Sequence, residues 1–213
     1  MKKLESTLVN MVVVLVGVAV ITGALLAWVN HVTEAPIKAQ DEIALANGIK
    51  EVMGTDNLKV TADDELKQTF DGKELTFVVH KTATADGKFL GAAVESTTLG
   101  FGGDLKVLVG FDAEGKVLGY TILQAAETPG LGAKADKWFQ KDGKGSIVGK
   151  TPSTPLAVNK DGGDIDAITA STITSRAFLK AVNQAYQVYA GQDQGQDTDA
   201  SAGASQQASR GEK

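Results

Sequence analysis

The sequence predicts an α+β protein: an N-terminal transmembrane helix followed by a mostly antiparallel sheet with packed helices. Three observations lead there. Residues 8–29 form an apolar run without a charged side chain, residues 75–123 alternate strand-like segments with Gly-containing turns, and residues 172–189 return to apolar positions at three-four spacing.

Composition removes several classes of function. The chain has 213 residues, 43% of them hydrophobic, and a net charge of −5. Its basic N-terminal pair, Lys2-Lys3, is far too short for a nucleic-acid patch, so no nucleic-acid partner is expected. Cysteine is absent, which excludes disulfides, iron–sulfur ligation, thiolate catalysis and thiolate zinc sites. The two histidines, His31 and His80, lie far apart, and no metal site is expected. Chemistry must come from carboxylates, hydroxyls, backbone groups or a bound cofactor.

Residues 1–7 are read as a cytoplasmic N-terminus and 8–29 as the membrane span. At about 1.5 Å per residue the span reaches roughly 33 Å, enough for a hydrocarbon core of about 30 Å. A cleaved signal peptide is the rival, but its apolar region is shorter, about 7–15 residues. Trp28 near the far end suits an interfacial anchor, and Lys2 and Lys3 before the span place the N-terminus inside. Residues 30–190 then form an extracytoplasmic domain of an inner-membrane, single-pass protein.

Within that domain, Thr33-Glu34-Ala35-Pro36 reads as a helix start, with a helix on to Gly54. Residues 56–73 are polar and poorly patterned and are expected to connect. Strands are expected over 75–80, 89–94, 105–111 and 117–123, with turns at Asp86-Gly87 and at 112-DAEG-115. A short helix is expected over 135–139, a loop with a short strand near 155–158, and a final helix over 172–189. Residues 191–213 lack any large apolar side chain and read as a disordered tail.

Three loops invite functional readings. Gly100-Phe101-Gly102-Gly103 lies between strands and matches no phosphate-binding pattern, so its glycines are expected to serve a bend, and Phe101 is read as a core residue ahead of the alternative, a ring packed on a planar ligand. The acidic run 159-NKDGGDID-166 lacks the spacing of a calcium loop and reads as a solvated turn. In 127-ETPGLG-132, Pro129 fixes one φ while Gly130 and Gly132 permit positive ones. The hexapeptide is either a structural turn or a device presenting Glu127, Thr128 and Leu131.

The run 166-DAITASTITS-175 crowds five hydroxyls at a helix start, where one would suffice as a cap. It resembles D-x-x-[ST]-G-A-T-x-[ST]-S, the flavin-attachment sequence of the FMN-binding subunits of Rnf and Na⁺-translocating NADH:quinone oxidoreductase complexes. In that family an ApbE-type flavin transferase links FMN through its phosphate to the central threonine, a position matched here by Thr172. The family's Gly-Ala is replaced by Ala170-Ser171. The resemblance runs over roughly residues 5–190 of the chain, whose short length is more like the Rnf G subunit than the longer C subunit of the quinone reductase.

The resemblance implies covalent FMN on Thr172, with Asp166 and Ser175 completing the motif and Thr169, Ser171 and Thr174 as nearby donors. It also implies that the 127–132 segment lies against the isoalloxazine ring, Thr128 donating to it and Leu131 packing on its face, with Glu127 in the same segment. Lys160 and Lys150 are candidates for a positive charge near ring or phosphate. The expected function is a membrane-anchored electron carrier: a redox subunit of an Rnf-type translocase that couples ferredoxin/NAD electron transfer to Na⁺ or H⁺ translocation, and not a complete enzyme alone. Its partners would be the membrane and iron–sulfur subunits and the transferase. The alternatives are a quinone-reductase-type or stand-alone flavinylated carrier, and a cofactor-free membrane-tethered binding domain in which the hydroxyls merely cap a helix.

Overall fold

The computed structural model describes residues 7–205, with side-chain environments through residue 191. The chain divides into two compact units, one ending at Leu45 and the other beginning at Ala46. Helix α1 covers Leu8–Met53 and contributes to both. Among the described residues it is the one helix long and apolar enough to cross a membrane. Its early side chains, Leu8, Leu15 and Ile21 among them, are exposed, and apolar residues all round a helix suit lipid better than water.

The expected helix start at Thr33–Pro36 is corrected: Pro36 lies inside α1. The Thr33 hydroxyl, instead of capping a new helix, donates back to the carbonyl of Val29 at 2.9 Å, and Glu34 pairs with Lys38 one turn on. The local signals therefore continue the helix across a proline that removes one backbone donor.

The second unit is a five-stranded antiparallel meander, in spatial order β1 (Leu58–Phe70), β2 (Lys73–Thr84), β3 (Phe89–Leu99), β4 (Asp104–Asp112) and β5 (Val117–Ala125). It continues through a short helix α2 (Ala135–Trp138), a 3₁₀ turn at Asn159–Asp161 and the long helix α3 (Thr172–Ser205). The apolar stripe of α3 (Phe178, Val182, Ala185, Tyr189) closes a core with Phe77, Val94, Val107, Phe111 and Tyr120. Phe178 stacks on Phe139 with centroids 4.3 Å apart and meets Tyr120 edge-on at 4.6 Å. Tyr120 also accepts the Phe139 N–H through its hydroxyl and donates to the Ala135 carbonyl, which fastens α2 to the core.

The opposite face of the sheet receives the last turns of α1, where Ile49, Val52 and Met53 are buried. The approach is close because Gly110 and Gly119 pair across β4 and β5. A Cβ on Gly110 would stand 2.6 Å from the Val52 carbonyl oxygen. The same face holds a buried charge network. His80 bonds Asp63 through Nδ1 at 2.6 Å and Glu95 through Nε2 at 2.9 Å, and Lys106 pairs with the other Glu95 oxygen.

Two further expectations are corrected. Residues 56–73 are not a connection but contain β1, which pairs with β2 from Leu58↔Thr84 to Phe70↔Lys73. Its half-buried positions alternate, but Asp64 and Gln68 interrupt Ala62, Leu66 and Phe70, so the apolar signal is broken by polar residues typical of an edge strand. The short strand near 155–158 reduces to a single parallel bridge, Val158↔Ile165. Pro155 offers no donor, and both backbone groups of Leu156 are bonded by the Asn183 side chain of α3. Helix α3 itself passes residue 191, the expected start of the tail, and extends to Ser205; residues 206–213 lie outside the described residues.

Candidate functional site

Three segments meet at one carboxylate. After β3 the chain turns through Gly100-Phe101-Gly102, after β5 it runs into Glu127, and α3 begins at Thr172. Glu127 accepts the Phe101 N–H through Oε1 at 2.8 Å and the Thr174 hydroxyl through Oε2 at 2.9 Å. Gly100 and Gly132 flank it on two sides: a Cβ on either would come within 2.2 Å of a Glu127 oxygen. Gly100 and Gly132 thus have a shared purpose, a cradle for one carboxylate.

The start of α3 is built by hydroxyls with separate tasks. Ser171 is the N-cap, since its carbonyl accepts the first helical bond from the Ser175 N–H. Ser175 sits buried beneath the turn, accepts the Ile168 N–H at 2.9 Å and donates to the Ser171 carbonyl at 2.9 Å. Ser171 donates to Thr174, which donates to Glu127. Asp166 is held by the Asn159 side chain at its carboxylate and by the Trp138 indole N–H at its carbonyl, 2.7 Å away. Thr169 lies exposed in the preceding turn.

Thr172 differs from its neighbours. Its hydroxyl donates to no described residue, and its one polar contact is the Lys160 ammonium at 3.4 Å. Lys160 reaches it from the Asn159–Asp161 turn, which Arg176 clamps to α3 by a two-pronged pair with Asp161 at 2.6 and 2.7 Å. The Arg176 hydrogen bonds hold the Asp161 carboxyl below its ordinary range. Lys150 is placed elsewhere: its ammonium pairs with Asp164. Of the 127–132 segment, Thr128 uses its carbonyl to accept the N–H groups of Leu131 and Ala133, and Thr128 and Leu131 are both exposed.

Phe101 is corrected from core to surface, with 68% of its area exposed. Its backbone folds inward onto Glu127, which turns the ring outward. Leu99, Leu131 and Ile173 are likewise exposed, so each of the three segments that meet at Glu127 carries an exposed apolar side chain.

Residues 100–187 match the model of the FMN-binding domain family, which begins at this glycine loop and ends in α3. Across a longer span the chain is 34% identical to the G subunit of the ion-translocating oxidoreductase complex of Shewanella baltica, over 78% of this chain and 82% of that protein. The chain belongs to this family of G subunits. The corresponding G subunit of Vibrio parahaemolyticus is 36% identical, over 76% of this chain and 79% of its own. The G subunit of the Na⁺-translocating ferredoxin:NAD⁺ oxidoreductase complex of Acetobacterium woodii is 30% identical, over 83% and 88%.

The residues present suit FMN on two grounds. The N–H groups of Thr172, Ile173 and Thr174 point out of the first turn of α3 with no partner among the described residues, a ready anion cradle. Beside them stand one uncommitted hydroxyl, one lysine and an apolar rim. A phosphate at the turn and a planar ring on the rim have complementary surfaces there. The feature that sequence reading missed is the Glu127 cradle, signalled by the unexplained glycines at 100 and 132.

Proposed function

We propose that this chain is the membrane-anchored electron carrier of an Rnf-type ion-translocating complex, with FMN joined through its phosphate to Thr172. The observation that carries the proposal is the distribution of hydroxyl protons. Ser171, Thr174 and Ser175 each donate within the protein, whereas Thr172, at the open N–H groups of α3, does not. Among the described residues its proton is therefore the one in that turn not held by an internal acceptor, and so open to a base of the transferase.

The surrounding groups fit that role. The first-turn N–H groups bind phosphate oxygens, the helix dipole favours their negative charge, and Lys160 balances what remains. Thr169 lies exposed just before this turn, and the exposed Leu131 and Thr128 of the 127–132 segment are assigned to the ring. Bound FMN supplies the electron chemistry, for which this chain has no redox-active cofactor ligand or cysteine of its own. Attachment is expected to need an ApbE-type flavin transferase, and electrons to pass to and from neighbouring subunits. Lys2 and Lys3 ahead of the span support an N-terminus in the cytoplasm with the FMN domain outside.

The test is co-expression with a flavin transferase followed by ultraviolet imaging of the denatured band. The wild-type band is expected to fluoresce and Thr172→Val to be dark at equal protein, while Ser171→Ala stays bright. A fluorescent Thr172→Val band would move the attachment elsewhere.

A further inference from the structure

Glu127 does more than brace three loops. Of the five hydroxyls in the run, Thr174 and Ser175 are fully buried, and Thr169 precedes the first helical turn. Only Ser171 and Thr172 are both partly accessible and within that turn. They are adjacent, so chain position alone does not choose between them.

The hydrogen-bond polarity does. An ionised carboxylate accepts and cannot donate. Thr174 must therefore give its proton to Glu127 across their 2.9 Å contact, and its oxygen is left to accept from Ser171 at 3.0 Å. The relay runs one way, Ser171 to Thr174 to Glu127, and it ends with the Ser171 proton turned inward. Thr172 lies outside the relay. The cradle of Gly100 and Gly132 and the Phe101 N–H hold the carboxylate in the orientation that sets this direction.

We infer that Glu127 is a positioning residue that makes Thr172, and not Ser171, the hydroxyl that receives the flavin phosphate. The inference rests on the attachment reading above. In the transfer, the donor is a flavin dinucleotide. A bond forms between the Thr172 oxygen and the FMN phosphorus, the pyrophosphate P–O bond breaks, a nucleoside monophosphate leaves, and the hydroxyl proton passes to a base of the transferase or to solvent. Ser171 cannot give up its proton to that base equally, because the proton is turned inward to Thr174.

Glu127→Gln keeps the shape and alters the polarity. With the amide oxygen on the Phe101 N–H, the amide nitrogen faces Thr174 and donates to it. Thr174 then donates to Ser171, and the Ser171 proton is released outward. The opposite amide orientation sets two donors against each other at Phe101 and is disfavoured. Thr174→Val breaks the relay independently by removing the acceptor of Ser171.

The experiment is full-length chain co-expressed with the flavin transferase, digested, with the FMN-bearing residue mapped by fragmentation mass spectrometry. Circular dichroism checks that each variant folds. Wild type is expected to carry FMN overwhelmingly on Thr172, with a minor Ser171 adduct that sets the reference ratio. Both variants should shift the Ser171-to-Thr172 adduct ratio toward Ser171 by about tenfold, the scale of one neutral hydrogen bond such as that from Ser171 to Thr174. Adding Ser171→Ala to Glu127→Gln should restore a single adduct on Thr172. Folded variants modified at the wild-type ratio would overturn the role given to Glu127. Wild type lacking FMN on Thr172 would instead overturn the attachment reading, before any variant is compared.

Discussion

At the scale of the residue, Ala170 shows why the attachment motif favours glycine. The Ser171 N–H bonds the Ile168 carbonyl at 3.0 Å, which closes a four-residue turn with Ala170 third and φ at 61°. With Thr169 not in the positive-φ region, this is type II geometry, whose third residue is ordinarily glycine. A side chain in that region costs about 1–2 kcal/mol, offset in part by the greater freedom that glycine loses on folding. Ala170→Gly is therefore expected to stabilise the domain by up to about 1 kcal/mol, raising its melting temperature by roughly 2–4 °C in a domain of this size. Thermal unfolding of the purified chain checks this; an unchanged or lower midpoint would mean that the turn carries no strain. The sequence marked the position as a departure from the motif, but only the backbone geometry shows what the departure costs.

At the scale of the element, the edge strand β1 depends on charge. Burial works against a charge on His80, but its hydrogen bonds to Glu95 and Asp63 outweigh that and raise its pKa above the ordinary value. For Glu95 burial again opposes the charge, and bonds from His80 and Lys106 outweigh it and lower the pKa. A raised histidine pKa stabilises the folded state fully below the unfolded value of about 6.5, and that contribution is lost as pH rises through the folded value. Denaturant unfolding should thus show stability falling from neutral toward alkaline pH, with the slope reduced in His80→Gln. Equal slopes in the two proteins would contradict the charged staple. Strands β2 to β5 were legible because apolar residues alternate between clear turns. Strand β1 was not, since Asp64 and Gln68 occupy its half-buried face. Its hairpin turn, Asp71-Gly72, with both φ positive, is nevertheless a recognisable signal. The start of α3 was legible as a hydroxyl-rich cap. The division of work among those hydroxyls was not, because Glu127 lies 47 positions before Thr174 in the chain.

At the scale of the whole molecule, two units carry separable tasks: an apolar helix suited to lipid, and a domain that brings together the glycine loop, the 127–132 segment and α3, where the flavin site is proposed. If the N-terminus is cytoplasmic, a C-terminal reporter active only outside the cytoplasm should be active, and a reporter active only inside should be silent. The reverse pattern would invert the proposed orientation. The central claim is that one FMN is esterified to this chain. Intact mass of the full-length protein after co-expression with the flavin transferase tests it most directly. The prediction is the polypeptide mass plus one FMN less one water, returning to the bare polypeptide in Thr172→Val. Wild-type protein at the bare mass, in cells where another substrate of the same transferase is flavinylated, would contradict it.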